Sequence, residues 1–336
     1  MKNFINQAEI SHFPVLLSEV IEICRSRKGK DFLDCTFGGG GYSESILKIP
    51  NTSVSAIDRD ESVSKFAFDL KKKFPNRFNF RTEKFSNIIK IFGNKKFDFI
   101  IFDLGVSSYQ LNNMSRGFSF NSKENLDMSM GLNEITAFDV INNLNENELK
   151  LIIKIFGEEK ESNSIARNII KKRKIKKIST AEELKNIIEF SKKRNFKKKI
   201  NLSTKTFQAL RIFVNKEISE LTQGITQATQ ILKPGGKLIV ISFHSIEDKI
   251  IKFFFKNFSS SKSKKSRYMP DQRKNITYFE DYKNKVIKAK SSEISKNPPS
   301  RSAKLRFAIR NNEIFTKSDE LFEKFKSYLE LEMTNV

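Results

Sequence analysis

A run of four glycines between a predicted strand and a predicted helix is the strongest chemical signal in the sequence. Residues 31–36 are predicted to form a short buried strand, residues 37–42 are Phe-Gly-Gly-Gly-Gly-Tyr, and residues 43–47 can begin a helix. Because glycine has no Cβ, this loop can approach a ligand closely, and the helix N-terminus favours anionic groups. A tight structural turn is the alternative, and the position between a buried strand and a helix favours ligand binding.

An acidic residue, Asp58, ends the next predicted strand, residues 53–58. It follows Gly38 by about 20 residues, the spacing at which an acid accepts hydrogen bonds from ribose hydroxyls in dinucleotide-binding folds. The pattern therefore predicts a cofactor that contains adenosine. A dehydrogenase is less favoured, because Glu44 stands where the third glycine of Gly-x-Gly-x-x-Gly is required.

A second carboxylate, Asp103, closes the almost continuously apolar strand predicted at residues 97–103. The ends of parallel strands line the crevice where such sheets bind ligands, and Gly105, Ser107 and Ser108 would leave a small polar pocket there. Methyl transfer to an exocyclic amine needs alignment and an acceptor for the amine proton, and Asp103 could hydrogen-bond that amine. A capping role at the strand end is the structural alternative.

A histidine, His244, follows the predicted strand at residues 238–243 on the same edge of the sheet. We treat it as a candidate catalytic residue on the substrate side. A structural histidine bonded to a backbone carbonyl is the alternative. Asp34 and Asp98 are weaker candidates, which we expect to cap backbone amides.

The alternation of strands and helices predicts an α/β fold, a doubly wound and mostly parallel Rossmann-like sheet. Its strands are predicted at residues 31–36, 53–58, 78–81, 97–103 and 238–243. A helix stop and turn at residues 232–237 would lead into the last of these strands.

A small helical domain is predicted to be inserted after the fourth strand. About 130 residues separate the last two predicted strands, where one crossover helix would need only about 30. Apolar residues between 142 and 196 recur at helical spacing. We expect a core of residues 1–108 and 211–336 and an insert of residues 109–210. A last amphipathic helix of no assigned role is predicted near residues 314–333.

Composition points to a polyanionic partner. The chain of 336 residues has 62 Lys and Arg against 39 Asp and Glu, a formal net charge of +23, which favours nucleic acid unless the excess reflects biased codon usage. The basic segments at residues 171–177 and 192–199 are predicted to be either an RNA-facing surface or solvated helix ends. Residues 259–267 have the composition of a mobile loop.

Neither a membrane location nor a metal site is expected. No apolar run is long enough to cross a bilayer, and residues 1–10 lack the layout of a secretion signal. The chain has two cysteines, Cys24 and Cys35, and two histidines, His12 and His244, at no spacing typical of zinc ligands. We therefore expect a cytoplasmic protein with structural thiols.

Sequence blocks in a fixed order along almost the whole chain resemble those of one family, the MraW family of bacterial 16S ribosomal RNA methyltransferases. The blocks lie at residues 12–20, 34–41, 56–60, 102–110, 116–120, 126–130, 206–211, 242–248 and 301–306. The resemblance implies a class I methyltransferase fold with S-adenosylmethionine as methyl donor. It also implies methylation of the exocyclic N4 of a cytidine in 16S rRNA, at the decoding centre of the small ribosomal subunit.

The resemblance also assigns site residues. Carried over position by position, the cofactor contacts of the family fall on Gly40, Gly41, Tyr42, Asp58, Phe85, Asp103 and Gln110. The phenylalanine would stack on the adenine, and the target cytidine must leave its stack to reach the sulfonium. Basic surface on the insert would grip phosphates without reading sequence.

The chain departs from the family pattern at several positions. Tyr42, Tyr109 and Ser129 stand where the family commonly has histidine, proline and arginine, and residues 201–205 replace His-Pro-Ala-Thr-Arg by Asn-Leu-Ser-Thr-Lys. The last change removes an arginine whose bidentate fork a lysine cannot reproduce, which puts an RNA or phosphate contact in doubt.

Two other functions remain open at this point. A DNA amino-methyltransferase would share the chemistry but usually carries Asp-Pro-Pro-Tyr, where residues 103–106 are Asp-Leu-Gly-Val. A ribosome-binding assembly factor without turnover is disfavoured by the intact glycine loop and acids. Oligomeric state and the RNA path are not predicted.

Overall fold

A six-stranded sheet forms the centre of the protein, with strand order β3-β2-β1-β4-β5-β6. The computed structural model describes residues 14–25, 29–107, 110, 116–120, 122–192, 201–260, 277–316 and 318–336. The strands are β1 (Asp31–Asp34), β2 (Ser53–Asp58), β3 (Phe78–Thr82), β4 (Phe97–Asp103), β5 (Leu232–Ser242) and β6 (Lys304–Ile309). β1 to β5 pair in parallel and β6 runs antiparallel to β5. The predicted doubly wound, mostly parallel sheet is confirmed.

Strand β5 begins earlier than the sequence predicted. The expected turn before Leu238 lies inside the strand as a bulge, because Leu232 pairs with Phe97 whereas Lys237 pairs with Phe99. Gly235 has φ +69°, a conformation that favours glycine. The extra residues of a bulge bend the strand without ending its pairing, which the Pro-Gly-Gly signal could not reveal.

Two hydrophobic clusters cover the two faces of the sheet. One contains Phe32 and Ile101 and packs against α1 (Leu17–Arg25), α2 (Gly41–Leu47) and α3 (Ser64–Lys73). The other contains Leu33 and Ile100 and packs against α4 (Ile88–Phe92), α10 (Glu217–Ile231) and α11 (Ser245–Asn257). Neighbouring strand residues thus point to opposite faces, and both faces are covered, as a parallel sheet requires.

The predicted insert is helical in its described part. It contains α5 (Ala137–Asn143), α6 (Glu146–Phe156), α7 (Ser162–Arg173) and α8 (Ala181–Ser191), followed by α9 (Thr204–Asn215). Capping boxes at Thr136, Asn145 and Thr180 begin three of these helices. Their apolar faces belong to the same cluster as one face of the sheet. The predicted boundary at residue 210 falls inside α9, so the division into core and insert stays a prediction.

The last described elements are short. α12 (Ser291–Lys296) precedes β6, and the amphipathic helix predicted near residues 314–333 consists of α13 (Asp319–Lys324) and α14 (Lys326–Glu332), separated at Phe325. Strand β6 was not predicted. Among the described residues, the helices are too short or too polar to span a bilayer.

Candidate active site

A pocket opens at the carboxyl ends of the parallel strands, where the strand order reverses between β1 and β4. Ligands bind at this point in open α/β sheets. The lining residues that bear on chemistry are Gly38, Gly41, Tyr42, Asp58, Arg59, Phe85, Asp103, Gln110, Glu217, Glu220, Phe243 and Glu247. The structure therefore brings together every predicted cofactor residue except Gly40, which lies one position before the lining Gly41.

The glycine loop turns tightly before helix α2. Gly38 and Gly40 have φ +52° and +78°, and a Cβ at Gly40 would lie 2.7 Å from the ring of Phe37. Gly40 is the N-cap of α2, with no side-chain cap. Only glycine therefore fits at residue 40, and it turns the chain so that Gly41 faces the pocket.

Asp58 holds this loop from the neighbouring strand. Its Oδ2 accepts a hydrogen bond from the backbone N–H of Gly38 at 2.8 Å, and its Oδ1 accepts one from Asp60 at 2.9 Å. Burial raises the pKa of Asp58 to about 6, although these two hydrogen bonds act in the opposite direction. The carboxyl is thus fixed in orientation at the predicted ribose position.

The carboxyl of Asp103 has an unsatisfied oxygen beside the pocket. Its buried Oδ1 has no hydrogen-bond partner among the described residues. Burial, followed by the charges of Asp34 and Glu247, raises the pKa of Asp103 well above its ordinary value. The hydroxyl of Tyr42 lies beside it and donates to the carbonyl of Val15. A positive charge in the pocket would favour the ionised form of Asp103.

The aromatic wall of the pocket is fixed by a glycine on α10. Phe85 meets Phe102 edge to face, with ring centroids 5.3 Å apart. A Cβ at Gly224 would come within 2.6 Å of the Phe85 ring, so the glycine lets the ring pack directly against the helix. One face of Phe85 is thus supported, as a stacking residue requires.

Gln110 lines the pocket and is held there by buried hydrogen bonds. Its Nε2 donates to Oδ2 of Asp60 at 2.6 Å, and its Oε1 accepts from the backbone of Ser107 at 3.0 Å. Asp60 also pairs with Arg116. The neighbouring Ser108 and Tyr109 lie outside the described residues, as does His12.

Sequence reasoning missed two pocket carboxylates on the first turn of α10, Glu217 and Glu220. Oε2 of Glu220 is buried and has no hydrogen-bond partner among the described residues. Acids in a first helical turn are common, because they complement the helix dipole. Their type and position alone could not mark them as site residues.

His244 does not line the pocket, but it contacts two residues that do, Glu247 and Glu217. Its Nε2 lies 3.1 Å from Oε1 of Glu247 and 3.9 Å from Oε2 of Glu217. Burial lowers the pKa of His244, but these carboxylates outweigh burial and raise it to about 9. Arg211 binds both oxygens of Glu217, at 2.8 and 3.0 Å. In this arrangement the histidine is an imidazolium that holds carboxylates in place.

Among the described residues, this cluster has side chains close enough to bind one metal ion. One possible donor atom from each of Glu217, His244 and Glu247 lies within 4.8 Å of the other two. Two carboxylates are here balanced by two cations, the imidazolium and the guanidinium of Arg211. The backbone N–H of Glu247 also lies 3.4 Å from Nδ1 of His244, a long hydrogen bond that the ring accepts only in its neutral form. The arrangement favours an ion-pair network over a metal site.

Asp34 and Asp98 have structural roles, as expected. Asp34 is buried and accepts from the backbone of Thr36 at 3.2 Å and from Oγ of Ser43 at 2.7 Å. Asp98 lies at the opposite end of β4, where its Oδ2 accepts from the backbone of Lys30 at 3.0 Å.

The charge of the pocket suits a cationic ligand. Five of its described lining residues carry carboxylates and one, Arg59, carries a guanidinium. The guanidinium donates to the backbone oxygens of Gly131 at 3.2 Å and Asn215 at 2.8 Å, so it is already bound. A glycine loop, an oriented acid, an aromatic wall and an acidic interior define an α/β protein that binds an adenosine cofactor bearing positive charge. The sulfonium of S-adenosylmethionine fits this donor set.

Comparison with known proteins assigns the family. Residues 9–311 match the model of the MraW methylase family. Ribosomal RNA small subunit methyltransferase H of Ehrlichia canis (strain Jake) is 44% identical over 303 residues, covering 89% of this chain and 99% of that protein. The protein of the same name from Wolbachia sp. subsp. Drosophila simulans (strain wRi) is 44% identical over 301 residues, covering 88% and 98%. The chain belongs to the MraW methylase family.

The chain is therefore a methyltransferase, and its methyl donor is S-adenosylmethionine. Among solved structures, an rRNA methylase from Streptococcus thermophilus covers 84% of this chain and 87% of its own. Its TM-score of 0.36 and 9% identity are too low to add to the assignment.

Proposed function

We propose that this chain methylates 16S ribosomal RNA of the small ribosomal subunit, at the exocyclic N4 of a cytidine in the decoding centre, and that it does so in the cytoplasm. The names of the relatives support the RNA and the subunit. The cytidine, its N4 and the decoding centre rest on the resemblance of the motifs. The observation that carries the chemistry is the unpartnered Oδ1 of Asp103 beside an acidic cofactor pocket.

The proposed cofactor contacts are the residues that the motifs indicated: Gly40, Gly41, Tyr42, Asp58, Phe85, Asp103 and Gln110. Asp58 would accept from the ribose hydroxyls and Phe85 would stack on the adenine. Gly40 would act through the backbone turn that it allows. Tyr42 fills the position of the usual histidine with a buried ring whose hydroxyl bonds the carbonyl of Val15.

Asp103 is the proposed catalytic residue. When bound, S-adenosylmethionine supplies an electrophilic methyl group on a positively charged sulfur. Asp103 would orient the amine by accepting a hydrogen bond from its N–H and would receive the proton that the amine releases. Oδ1 has no partner of good hydrogen-bond geometry among the described residues, although the nearby hydroxyl of Tyr42, which donates to Val15, also lowers the pKa of this carboxyl. His244, predicted as a catalytic candidate, would act by holding Glu247 and Glu217.

The proposed RNA surface lies at the end of α7. Lys171, Lys172 and Lys174 are exposed and have no ion pair among the described residues. They could neutralise phosphates, which supplies sequence-independent affinity. The second basic segment differs in the one lysine that the structure describes. The side chain of Lys192 is 8% exposed and pairs with Glu159 at 2.5 Å. Residues 193–199 lie outside the described residues.

A labelling experiment tests the function. Cofactor with a radioactive methyl group is offered with purified small subunits, naked 16S RNA and DNA, and the labelled nucleoside is identified after digestion. We expect label in N4-methylcytidine from the ribosomal substrate. Label in another base would refute the cytidine assignment, label in DNA would favour a DNA amino-methyltransferase, and no label on any RNA would favour an assembly factor.

A further inference from the structure

The first turn of α10 is capped by a residue of the C-terminal helix α14. The carboxylate of Glu332, the last residue of α14, accepts from the backbone N–H of Ile218 and of Ser219, each at 2.8 Å. It also accepts from Oγ of Ser219 at 2.5 Å. Glu332 is only 1% exposed. Both of its oxygens are therefore committed to this helix end.

Helix α10 has no cap of its own. Its N-cap residue is Lys216, which has φ 49° and makes no side-chain cap hydrogen bond. An ordinary N-cap side chain accepts from the second or third amide of the helix, and a lysine ammonium has no acceptor. Ile218 and Ser219 hold those two amides. Glu332 therefore does what an N-cap residue does. Burial raises the pKa of its carboxyl to about 7, and above that pH its negative charge suits the helix N-terminus.

Aromatic contacts hold the C-terminal helices in place for this role. The ring of Phe325 lies 5.7 Å from Phe253 of α11, and that of Tyr328 lies 6.3 Å from Phe156 of α6. Leu321 of α13 is fully buried. These helices lie C-terminal to the residues that the family model matches, which end at 311. The cap thus comes from a part of this chain that the family pattern does not include.

The capped turn carries two carboxylates into the pocket. Glu217 is the first residue of α10 and Glu220 follows one turn later, on the face toward the cofactor pocket. Without acceptors for its first amides, a helix end frays, and the backbone that carries Glu217 and Glu220 would lose its fixed position. We propose that Glu332 is a positioning residue of the cofactor pocket, which fixes the first turn of α10 and thereby Glu217 and Glu220.

The test compares two glutamates on the same helix. Glu332→Gln keeps the side-chain size but turns one acceptor into a donor that faces an N–H. Glu330→Gln makes the same change at an exposed position whose nearest cation, Lys326, is 4.0 Å away. The readout is the dissociation constant of S-adenosylhomocysteine by calorimetry, well below the melting temperature of each variant. This readout needs no RNA, so it is independent of the proposed substrate.

We expect Glu332→Gln to weaken binding roughly three- to tenfold, if most of the stability that a helix cap provides is transmitted to the pocket. We expect Glu330→Gln to bind as the unchanged protein does. Glu332→Asp keeps the charge but shortens its reach, and should weaken binding by less. If Glu332→Gln does not fold, the dissociation constant of Glu332→Asp provides the test. A lower melting temperature with an unchanged dissociation constant in the folded Glu332 variants would overturn the proposal, as would equal weakening by Glu330→Gln.

Discussion

Asp58 accepts a hydrogen bond from the backbone N–H of Gly38 at 2.8 Å, so the acid at the end of β2 and the loop after β1 hold each other in position. The loop conformation and the orientation of the carboxyl are thus one structural unit. The other oxygen of Asp58 accepts from the backbone N–H of Asp60. The side chain of Asp60 in turn accepts from Gln110 and forms an ion pair with Arg116. The carboxyl of Asp58 therefore joins the glycine loop to the polar contacts of Asp60.

Asp58→Asn should weaken cofactor binding about tenfold to a hundredfold. Asparagine keeps one acceptor oxygen but places an NH2 group against a backbone donor, and loss of a hydrogen bond to a charged group costs about 1.5 to 3 kcal/mol. Calorimetry with S-adenosylhomocysteine measures the change. Asp69→Asn, at an exposed position on α3, is the control. Binding by the Asp58 variant within twofold of the unchanged protein would exclude the ribose role.

Cofactor affinity should fall as the pH drops through about 6, because Asp58 has a pKa of about 6 and only its ionised form accepts with both oxygens. Folding stability should change in the opposite direction. The pKa lies above the ordinary value of 3.8, so the folded state binds the proton first, and its stabilising contribution is full below 3.8 and lost as the pH rises through about 6. Asp34 has a pKa of about 6 as well and adds to the stability change.

These opposite slopes are measured by calorimetry and by urea unfolding from about pH 4.5 to about pH 7.5, which brackets the pKa of about 6. In Asp58→Asn the slope of affinity should largely disappear, whereas the slope of stability should persist in part through Asp34. An unchanged affinity slope in this variant would assign the pH dependence to another group.

Asp103→Asn should lower kcat by about a hundredfold to ten-thousandfold, the range for removing a general acid or base. The amide keeps the shape and one acceptor but cannot receive the proton. We expect a larger effect on the single-turnover rate at saturating cofactor than on the dissociation constant of S-adenosylhomocysteine. Wild-type turnover by this variant would return Asp103 to a structural role at the end of β4.

The sequence was sufficient for the parallel part of the fold. Buried strands, the glycine loop and the helical spacing of the insert are local patterns, and strands β1 to β4 lie within two residues of those predicted, whereas β5 begins six residues earlier. Strand β6 was missed because Lys304 and Arg306 interrupt its apolar residues, so the segment lacks the continuous apolar run of a buried parallel strand. In the structure Asp248 accepts from Arg306 at 2.7 Å and from Lys304 at 3.0 Å, so the charge is compensated by a residue from α11.

The site was predictable only where function depends on local backbone geometry or on a matching motif. Glycine spacing and the strand-end acids gave Asp58 and Asp103, and the family motifs gave Phe85 and Gln110. Glu220 could not be found, because its burial depends on how α10 packs against the sheet. The same holds for the cap by Glu332, which joins positions 114 residues apart.

Replacing Lys171, Lys172 and Lys174 together by alanine should weaken RNA binding and reduce its salt dependence. Removing one lysine–phosphate interaction lowers the slope of log affinity against log salt by about 1, so a decrease of up to about 3 is expected. The control replaces Lys283, Lys285 and Lys288, which are exposed near the edge strand β6. Filter binding of 16S RNA at several salt concentrations gives both slopes. Equal slopes for the two triple variants would assign the effect to net charge alone.

His244→Gln should remove a pH-dependent part of the stability. Glu247, Glu217 and Arg211 face this imidazole, and its pKa of about 9 lies above the ordinary 6.5. The folded state therefore holds the proton more tightly, so the stabilisation is full below pH 6.5 and lost as the pH rises through about 9. A shift of this size corresponds to about 3 kcal/mol. Urea unfolding of both proteins from about pH 6 to about pH 9.5 measures it.

The same experiment separates the ion-pair network from a metal site. A bound cation would compete with the proton at His244, so a metal site would be destabilised by a chelator and stabilised as the pH rises. The ion-pair network predicts the reverse pH trend and no change in melting temperature with chelator or added zinc. Loss of stability on chelation in the unchanged protein, absent in His244→Gln, would show that Glu217, His244 and Glu247 bind a metal.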